Sequence, residues 1–415
     1  MLRPITLLIL ALAGATPAAD WPGFRGDGSG VSGDRGLPLR WSAADNVAWK
    51  APVPGEGWSS PVVAGNRVYL TTATDGGKSG RVLAFAADTG KLLWDREACR
   101  IEVKHAHKRT SQAAPTPASD ADRVYAAFGD GTLVAVKADT GDVAWVNRDF
   151  PYYSQHGLGA SPVLYKGLLI MAFDGSSEGP DKKVGWQTPW DKAQLVALDR
   201  TTGKLKWKAG RGQSRIGHAT PLLVRHGGQD VLVSPAGDVI QGFDPATGTL
   251  LWTVRTWGEG LVPSAAAADG LAFGTTGFGK PRLKAVRLGG KDDVTDTHVA
   301  WEDTNNVPML PSMVTAGGRL FVVTDKGFAA CLDTKTGQEV WKRRLGGSFS
   351  ASPVLADGRL YALSDQGETF VLKASDDYQL LARNPLGEEA QASPAVSGGR
   401  LFLRTKSHLW CVGPK

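Results

Sequence analysis

Leu195-Val-Ala-Leu-Asp-Arg-Thr-Thr-Gly-Lys-Leu-Lys-Trp207 reads as two short strands joined by a tight turn. In the first strand Leu195, Ala197 and Asp199 alternate with Val196 and Leu198. In the second, Leu205 and Trp207 are expected to share one face and Lys204, Lys206 and Lys208 the other. Thr202-Gly203 supplies the turn, because Gly takes a left-handed conformation without steric cost, which a hairpin turn with a bulge needs. The stretch matters because it recurs. Gly90 precedes Trp94, Gly141 precedes Trp145, Gly248 precedes Trp252 and Gly337 precedes Trp341, all with the same gap as Gly203 and Trp207.

Each hairpin closes a longer unit. A unit opens with a small residue beside Pro, continues with an apolar strand, and ends at the Trp. The openings are Ser59-Ser-Pro61, Ala114-Pro-Thr-Pro117, Ala160-Ser-Pro162, Ala219-Thr-Pro221, Val262-Pro-Ser264, Leu310-Pro-Ser312, Ala351-Ser-Pro353 and Ala392-Ser-Pro394. Unit five closes at Trp301 with a degenerate turn, and unit seven has Leu380-Leu381 in place of the Trp. Pro at an opening suits a strand with a free edge beside a central channel. Units of ~40 to 50 residues have the spacing of propeller blades.

The count of units predicts closure. Unit eight runs through Arg400–Arg404 and Leu409–Val412 and stops one strand short. Asn46–Val53 is one strand left over, and it carries the Trp that unit eight lacks, Trp49. The expected fold is therefore an all-β, eight-bladed β-propeller of four-stranded blades, its ring closed by the N-terminal strand and no edge left open. The expected organisation is a signal peptide at 1–19, an N-terminal arm at 20–45 and one propeller at 46–415.

Composition narrows the class. The chain has 415 residues, 52 Gly, 14 Trp and a formal charge of +6. Lys and Arg are dispersed, with no basic cluster interleaved with aromatics, so nucleic acid is not an expected partner. Arg3, the apolar run Ile5–Ala13 and Thr16-Pro-Ala-Ala19 have the layout of a signal peptide, too short for a membrane span. No later segment is apolar for long enough to be a transmembrane anchor. The expected product is a periplasmic or secreted monomer. Three Cys, at 99, 331 and 411, are expected to stay buried and unpaired, with Cys331 and Cys411 on strands too far apart to bridge. Gly28-Ser-Gly-Val-Ser-Gly33 matches a dinucleotide-binding pattern, but no strand precedes it and no helix follows.

The recurrent D-x-x-T-G-x-x-x-W hairpin resembles the pyrroloquinoline-quinone-like (PQQ-like) repeat over nearly the whole mature chain. The resemblance implies that Trp49, Trp94, Trp145, Trp207, Trp252, Trp301 and Trp341 dock between neighbouring blades. The Trp21-Pro-Gly-Phe-Arg-Gly26 opening is similar to that of exported bacterial PQQ-like proteins. The repeat also occurs in the outer-membrane barrel-assembly propeller lipoprotein, a non-enzymatic member, and in PQQ-dependent dehydrogenases acting on alcohols or sugars. Those enzymes hold the quinone with calcium, carboxylate and Asn ligands, a catalytic Asp and often an adjacent Cys pair. Glu56, Asp174, Glu259 and Asn306 are residues of the right types here, but no matched motif carries them and no Cys pair exists. The expectation is a non-catalytic binding scaffold, with no catalytic residue, no metal site and no cofactor.

Binding residues are expected on the connections from outer strand to next inner strand. These carry His105, His107, His156 and His218, with Trp257 and Glu259 nearby. The insertion Asp174–Lys192 adds Trp186 and Trp190. Loops of this length in a compact fold are more often functional than short ones. Imidazoles and Trp faces suit an extracytoplasmic protein segment or a polysaccharide.

Overall fold

A computed structural model describes residues 20–105 and 107–414; the expected signal peptide, 1–19, lies outside them. Eight sheets form the blades, each built on four antiparallel strands, and one of them carries a short fifth strand. Blade one is Val62–Ala64, Arg67–Thr74, Ser79–Ala86 and Leu92–Arg100, from the channel outward. Blade eight is Ala395–Ser397, Arg400–Arg404, His408–Val412 and, on the outside, Val47–Pro52 from the other end of the chain. The closure expected from the count of strands is therefore present, with Trp49 opposite Cys411.

The hairpin that announced the fold departs from simple alternation. In blade three, Ala197 faces Trp207 but Leu198 faces Leu205, so a bulge falls between them. The extra residue turns Leu205 outward, 47% exposed, while Trp207 stays buried. The two therefore do not share a face, because a bulge inserts one residue and flips what precedes it. The same shift occurs before Trp94, Trp145, Trp252, Trp301 and Trp341.

The bulge aims each Trp into a prepared seat. The residue directly opposite is small: Ala84, Ala135, Ala197, Gly242, Ala285, Cys331 and Cys411. The ring then extends over the next blade's hairpin. Trp145 Nε1 donates to the Arg200 carbonyl at 3.0 Å, and a Cβ on Gly203 would stand 2.6 Å from the indole. Trp49, Trp94, Trp207, Trp301 and Trp341 likewise donate to carbonyls of the following blade. Gly203 is thus required twice, for its φ of +71° and for the approach of Trp145.

Two blades vary the joint. Blade five replaces its hairpin by a longer link containing Asp292–Asp293, which pairs in parallel with the outer strand of blade four at Trp252. The Trp252 indole N–H is left without a partner. In blade seven Ala382 takes the Trp position opposite Val371, so large and small are exchanged. Trp41 from the arm packs into the cluster with Ala382 and stacks on Tyr361 at 6.4 Å. Its backbone N–H donates to Asn384 at 2.9 Å.

A second set of joints runs around the channel. Ser60 N–H donates to Thr116 Oγ1, Thr116 to Ser161, Ser161 to Thr220 and Thr220 to Ser264, at 2.9–3.0 Å. Ser264 then donates to Ser312, Ser312 to Ser352, Ser352 to Ser393, and Ser393 back to Ser60, again at 2.9–3.0 Å. The eight bonds form a closed circle, each crossing one blade boundary. Every member lies two residues before the first residue of its blade's inner strand and is buried. The arm spans the channel just beyond this circle. Trp21 pairs with Val63 of blade one, Pro22 accepts from Ser119 of blade two, and Gly30 accepts from Leu355 of blade seven. Cys99, Cys331 and Cys411 are free and buried, and burial pushes their thiols up to about 12.

Removing residues through Val53 uncovers the edge of His408–Val412 and takes Trp41 and Trp49 from their seats. The truncated protein is expected to aggregate, which size-exclusion chromatography checks. Ser161→Ala leaves the buried Thr116 N–H without an acceptor. It is expected to lower stability by ~1–3 kcal/mol in denaturant titration, and Ser161→Thr, which keeps the hydroxyl, to restore most of it.

Candidate functional site

The circle of hydroxyls marks the depth of a central cavity of about 620 Å³. Its wall above the circle is built by the long connections. Ser60, Thr116, Ser161, Ser312, Ser352 and Ser393 line it, and Phe24 of the arm lines it too. Because the arm crosses the inner strands beyond the circle, the channel is blind at that end and open at the loops.

The wall brings most of the expected residues together. His107, His156, His218, Trp186 and Glu259 all line the cavity, with Trp58, Arg109, Phe278 and Asp325. His156 sits at the centre: its ring is 6.0 Å from that of His107, 6.0 Å from that of His218 and 5.8 Å from that of Trp186. The remaining three lie elsewhere. His105 is exposed and does not line the cavity. Trp190 packs against Gly185 and bridges to Ser214, which makes it part of the insertion's own packing. Trp257, 49% exposed, stacks with Arg215 at 4.6 Å and lines a separate hollow of about 370 Å³.

A buried ion pair sets the position of Trp186. The insertion begins at Asp174, whose carboxylate takes two bonds from the Arg211 guanidinium at 2.5 and 2.8 Å. Arg211 also donates to Ser234 of blade four. Further on, the Ile216 N–H donates to the Gly185 carbonyl at 2.7 Å, next to Trp186. The insertion is thus fastened at its start and near its middle to the connection that leads into blade four.

His218 is held by its backbone, donating to the Leu261 carbonyl at 2.6 Å, while its ring covers Gly159. Its Nε2 and the Nδ1 of His156 are buried without a partner in the protein. Burial is the first cause that lowers both imidazoles, with neighbouring His charge second; His218 falls to about 3. Near neutral pH both rings are therefore neutral, each offering one donor and one acceptor nitrogen.

The cation-and-quinone donor set is not assembled. Of the four candidate ligands, Glu259 alone lines the cavity. Asp174 is committed to Arg211, the Asn306 amide donates to Asp303 and Glu339, and Glu56 pairs through its backbone with Ala73. Among the described residues, no three or more His, Cys, Asp or Glu lie close enough to share a metal ion. Sequence reasoning missed the hydroxyl circle and Phe24. The signal for the first was present: a Ser or Thr adjacent to Pro at every opening.

The pH dependence follows from His218. Its folded value lies below the ordinary 6.5. Above ~6.5 neither state is charged, and its contribution to stability is intact. As pH falls below ~6.5 the unfolded chain takes up a proton that the folded ring refuses until about 3. Stability is expected to drop by roughly 1 kcal/mol per pH unit through this window. His218→Gln should flatten the fall between pH ~6.5 and ~4.5, above the ordinary carboxylate range, as read by urea titration at stepped pH.

Comparison with known proteins places the chain among its relatives. A family model described as outer membrane protein assembly factor BamB matches residues 17–148, 155–293 and 291–407. The BamB of Burkholderia pseudomallei (strain K96243) is 30% identical over 327 residues, covering 78% of this chain and 65% of that protein. The match thus spans just under two thirds of that relative's length. A polyvinylalcohol dehydrogenase of a Pseudomonas species is 28% identical over 194 residues, 45% of this chain and 28% of that enzyme. The crystal structure of BamB from Moraxella catarrhalis aligns with a TM-score of 0.55 at 19% identity, covering 78% of this chain and 85% of that one, a likeness of fold.

Proposed function

Because the chain belongs to the family described as outer membrane protein assembly factor BamB, we propose that it is an exported, non-catalytic propeller scaffold that binds its partner at the loop-built mouth. It works in the periplasm or outside the cell, and the partner is an extracytoplasmic protein segment or a glycan. The observation that carries this reading is the mouth itself. Two buried, unpartnered imidazole nitrogens and the faces of Trp58 and Trp186 meet at an open cavity, while the opposite end is closed by the arm. The signal-peptide layout of residues 1–19 supports export, as does the family, whose description places it in outer-membrane assembly.

The partial likeness to a polyvinylalcohol dehydrogenase supplies the competing reading, a PQQ-dependent oxidoreductase. Redox catalysis with such a quinone needs a cation on the ring carbonyl and a base for the substrate proton. Glu259 is the single member of the candidate ligand set at the cavity, which favours the scaffold.

The test is a thermal-shift screen of the purified mature protein against extended peptides, oligosaccharides, transition metals, and PQQ with calcium. A ligand at a hundred times its Kd stabilises the native state by ~3 kcal/mol. The expected hit is a peptide or oligosaccharide whose shift disappears in the combined His107→Ala, His156→Ala, Trp186→Ala variant, with the unliganded melting temperature little changed. A shift that survives all three changes removes the mouth from consideration. Sustained reduction of an artificial electron acceptor by alcohols or sugars, dependent on both PQQ and calcium, makes the protein a dehydrogenase.

A further inference from the structure

The blind end of the cavity has a chemistry of its own. Each hydroxyl of the circle accepts a backbone N–H from the preceding blade. Among the described residues, none of these hydroxyls donates its own proton to a protein acceptor. A hydroxyl has one donor and two acceptor sites, so each keeps a donor and an acceptor free. The incoming N–H polarises the O–H and strengthens it as a donor. Six of the eight line the cavity, so mixed donors and acceptors are arrayed around its deep end.

Flat apolar surface completes the lining. Phe24 rises from the arm, and Trp58, Trp186 and Phe278 stand in the wall. Formal charge is sparse and mixed: Arg109 against Glu259 and Asp325, with Asp325 already accepting from the Met309 N–H. Burial keeps His156 and His218 neutral. An anionic ligand would meet two carboxylates and one cation, and a cationic one no cluster able to hold it. The volume lies within the ~300–1,000 Å³ of small-molecule sites. The arm crosses the far end, so an occupant enters and leaves by the mouth.

We infer that this end of the cavity receives a neutral pyranose ring, the terminal unit of an oligosaccharide or glycan, stacked on the aromatic wall with its hydroxyls bonded to the serine–threonine circle and to His156 and His218. The inference rests on the reading of the mouth as the binding face and names its ligand class. A sugar presents apolar C–H faces to aromatic rings and hydroxyls around its rim, which is the division of surface found here. Sites built to bond a substrate hydroxyl reject the analogue lacking it, because the buried partner is then left unpaired.

The experiment is calorimetric titration of the mature protein with neutral trisaccharides of glucose, xylose and N-acetylglucosamine, their deoxy analogues, a uronic-acid trisaccharide, and an extended peptide series. The expected result is saturable binding of at least one neutral sugar, weakened tenfold or more by loss of one hydroxyl. Trp186→Ala should weaken it tenfold or more and Trp186→Phe much less. Longer polymer of the same sugar should bind as tightly if the site caps a glycan end, and less tightly if it takes a free oligosaccharide. No saturation by any neutral sugar up to ~10 mM, where ΔG of binding is under ~3 kcal/mol in size, overturns the inference. So does tighter binding of the uronic-acid series. Trp186-dependent binding of a peptide without any sugar leaves the mouth as the binding face and removes the sugar. Binding of either probe unaffected by Trp186→Ala removes both.

Discussion

The circle of eight hydrogen bonds around the channel is the constraint that organises the rest of the molecule. It fixes each blade to the next at one depth, through a backbone donor and a side-chain acceptor that are both buried. A buried N–H must find a partner, and here the partner always comes from the adjoining blade. The circle is complete with eight members because the last bond, Ser393 to Ser60, joins the eighth blade to the first. Everything lying outward follows from that spacing: the inner strands start two residues later, and the loops before it make the mouth.

At the outer rim the same problem is solved with different chemistry. A Trp lies in a seat made by a small residue on its own blade and a Gly on the next. The repeated hairpin therefore contains halves of two successive joints, its Gly receiving the preceding Trp and its own Trp going to the following blade. That explains the fixed gap between Gly and Trp better than the turn alone does. Where blade seven lacks its Trp, Trp41 comes from the arm and Val371 replaces the small residue. Packing density is preserved by exchange rather than by tolerance of a void.

The architecture was legible because it is periodic. Spacing, the small-residue–Pro openings and the count of strands were enough for eight blades and for closure by Asn46–Val53. A bulge was legible in the Thr202-Gly203 turn, but its effect on Leu205 was not, because strict alternation places Leu205 and Trp207 on one face while the inserted residue parts them. The site was legible in part. His107, His156, His218, Trp186 and Glu259 converge because all lie on connections that the ring gathers at one end. Trp190 and Trp257 share those connections but are consumed by Gly185 and Arg215. Loop membership predicts the end of the molecule a residue occupies, and local packing decides whether it faces the cavity. Phe24 escaped notice because nothing in an aperiodic arm indicates which blades it will cross.

The shared last blade has a consequence for how such a chain is made. Val47–Pro52 leaves the ribosome long before its partner His408–Val412. Through synthesis the first strand and the Trp-bearing arm wait without their sheet, and contacts between distant segments are slow to form. The circle of hydroxyls likewise cannot close until Ser393 arrives. Closure thus acts as a test of completeness: a chain released early has no way to satisfy either end.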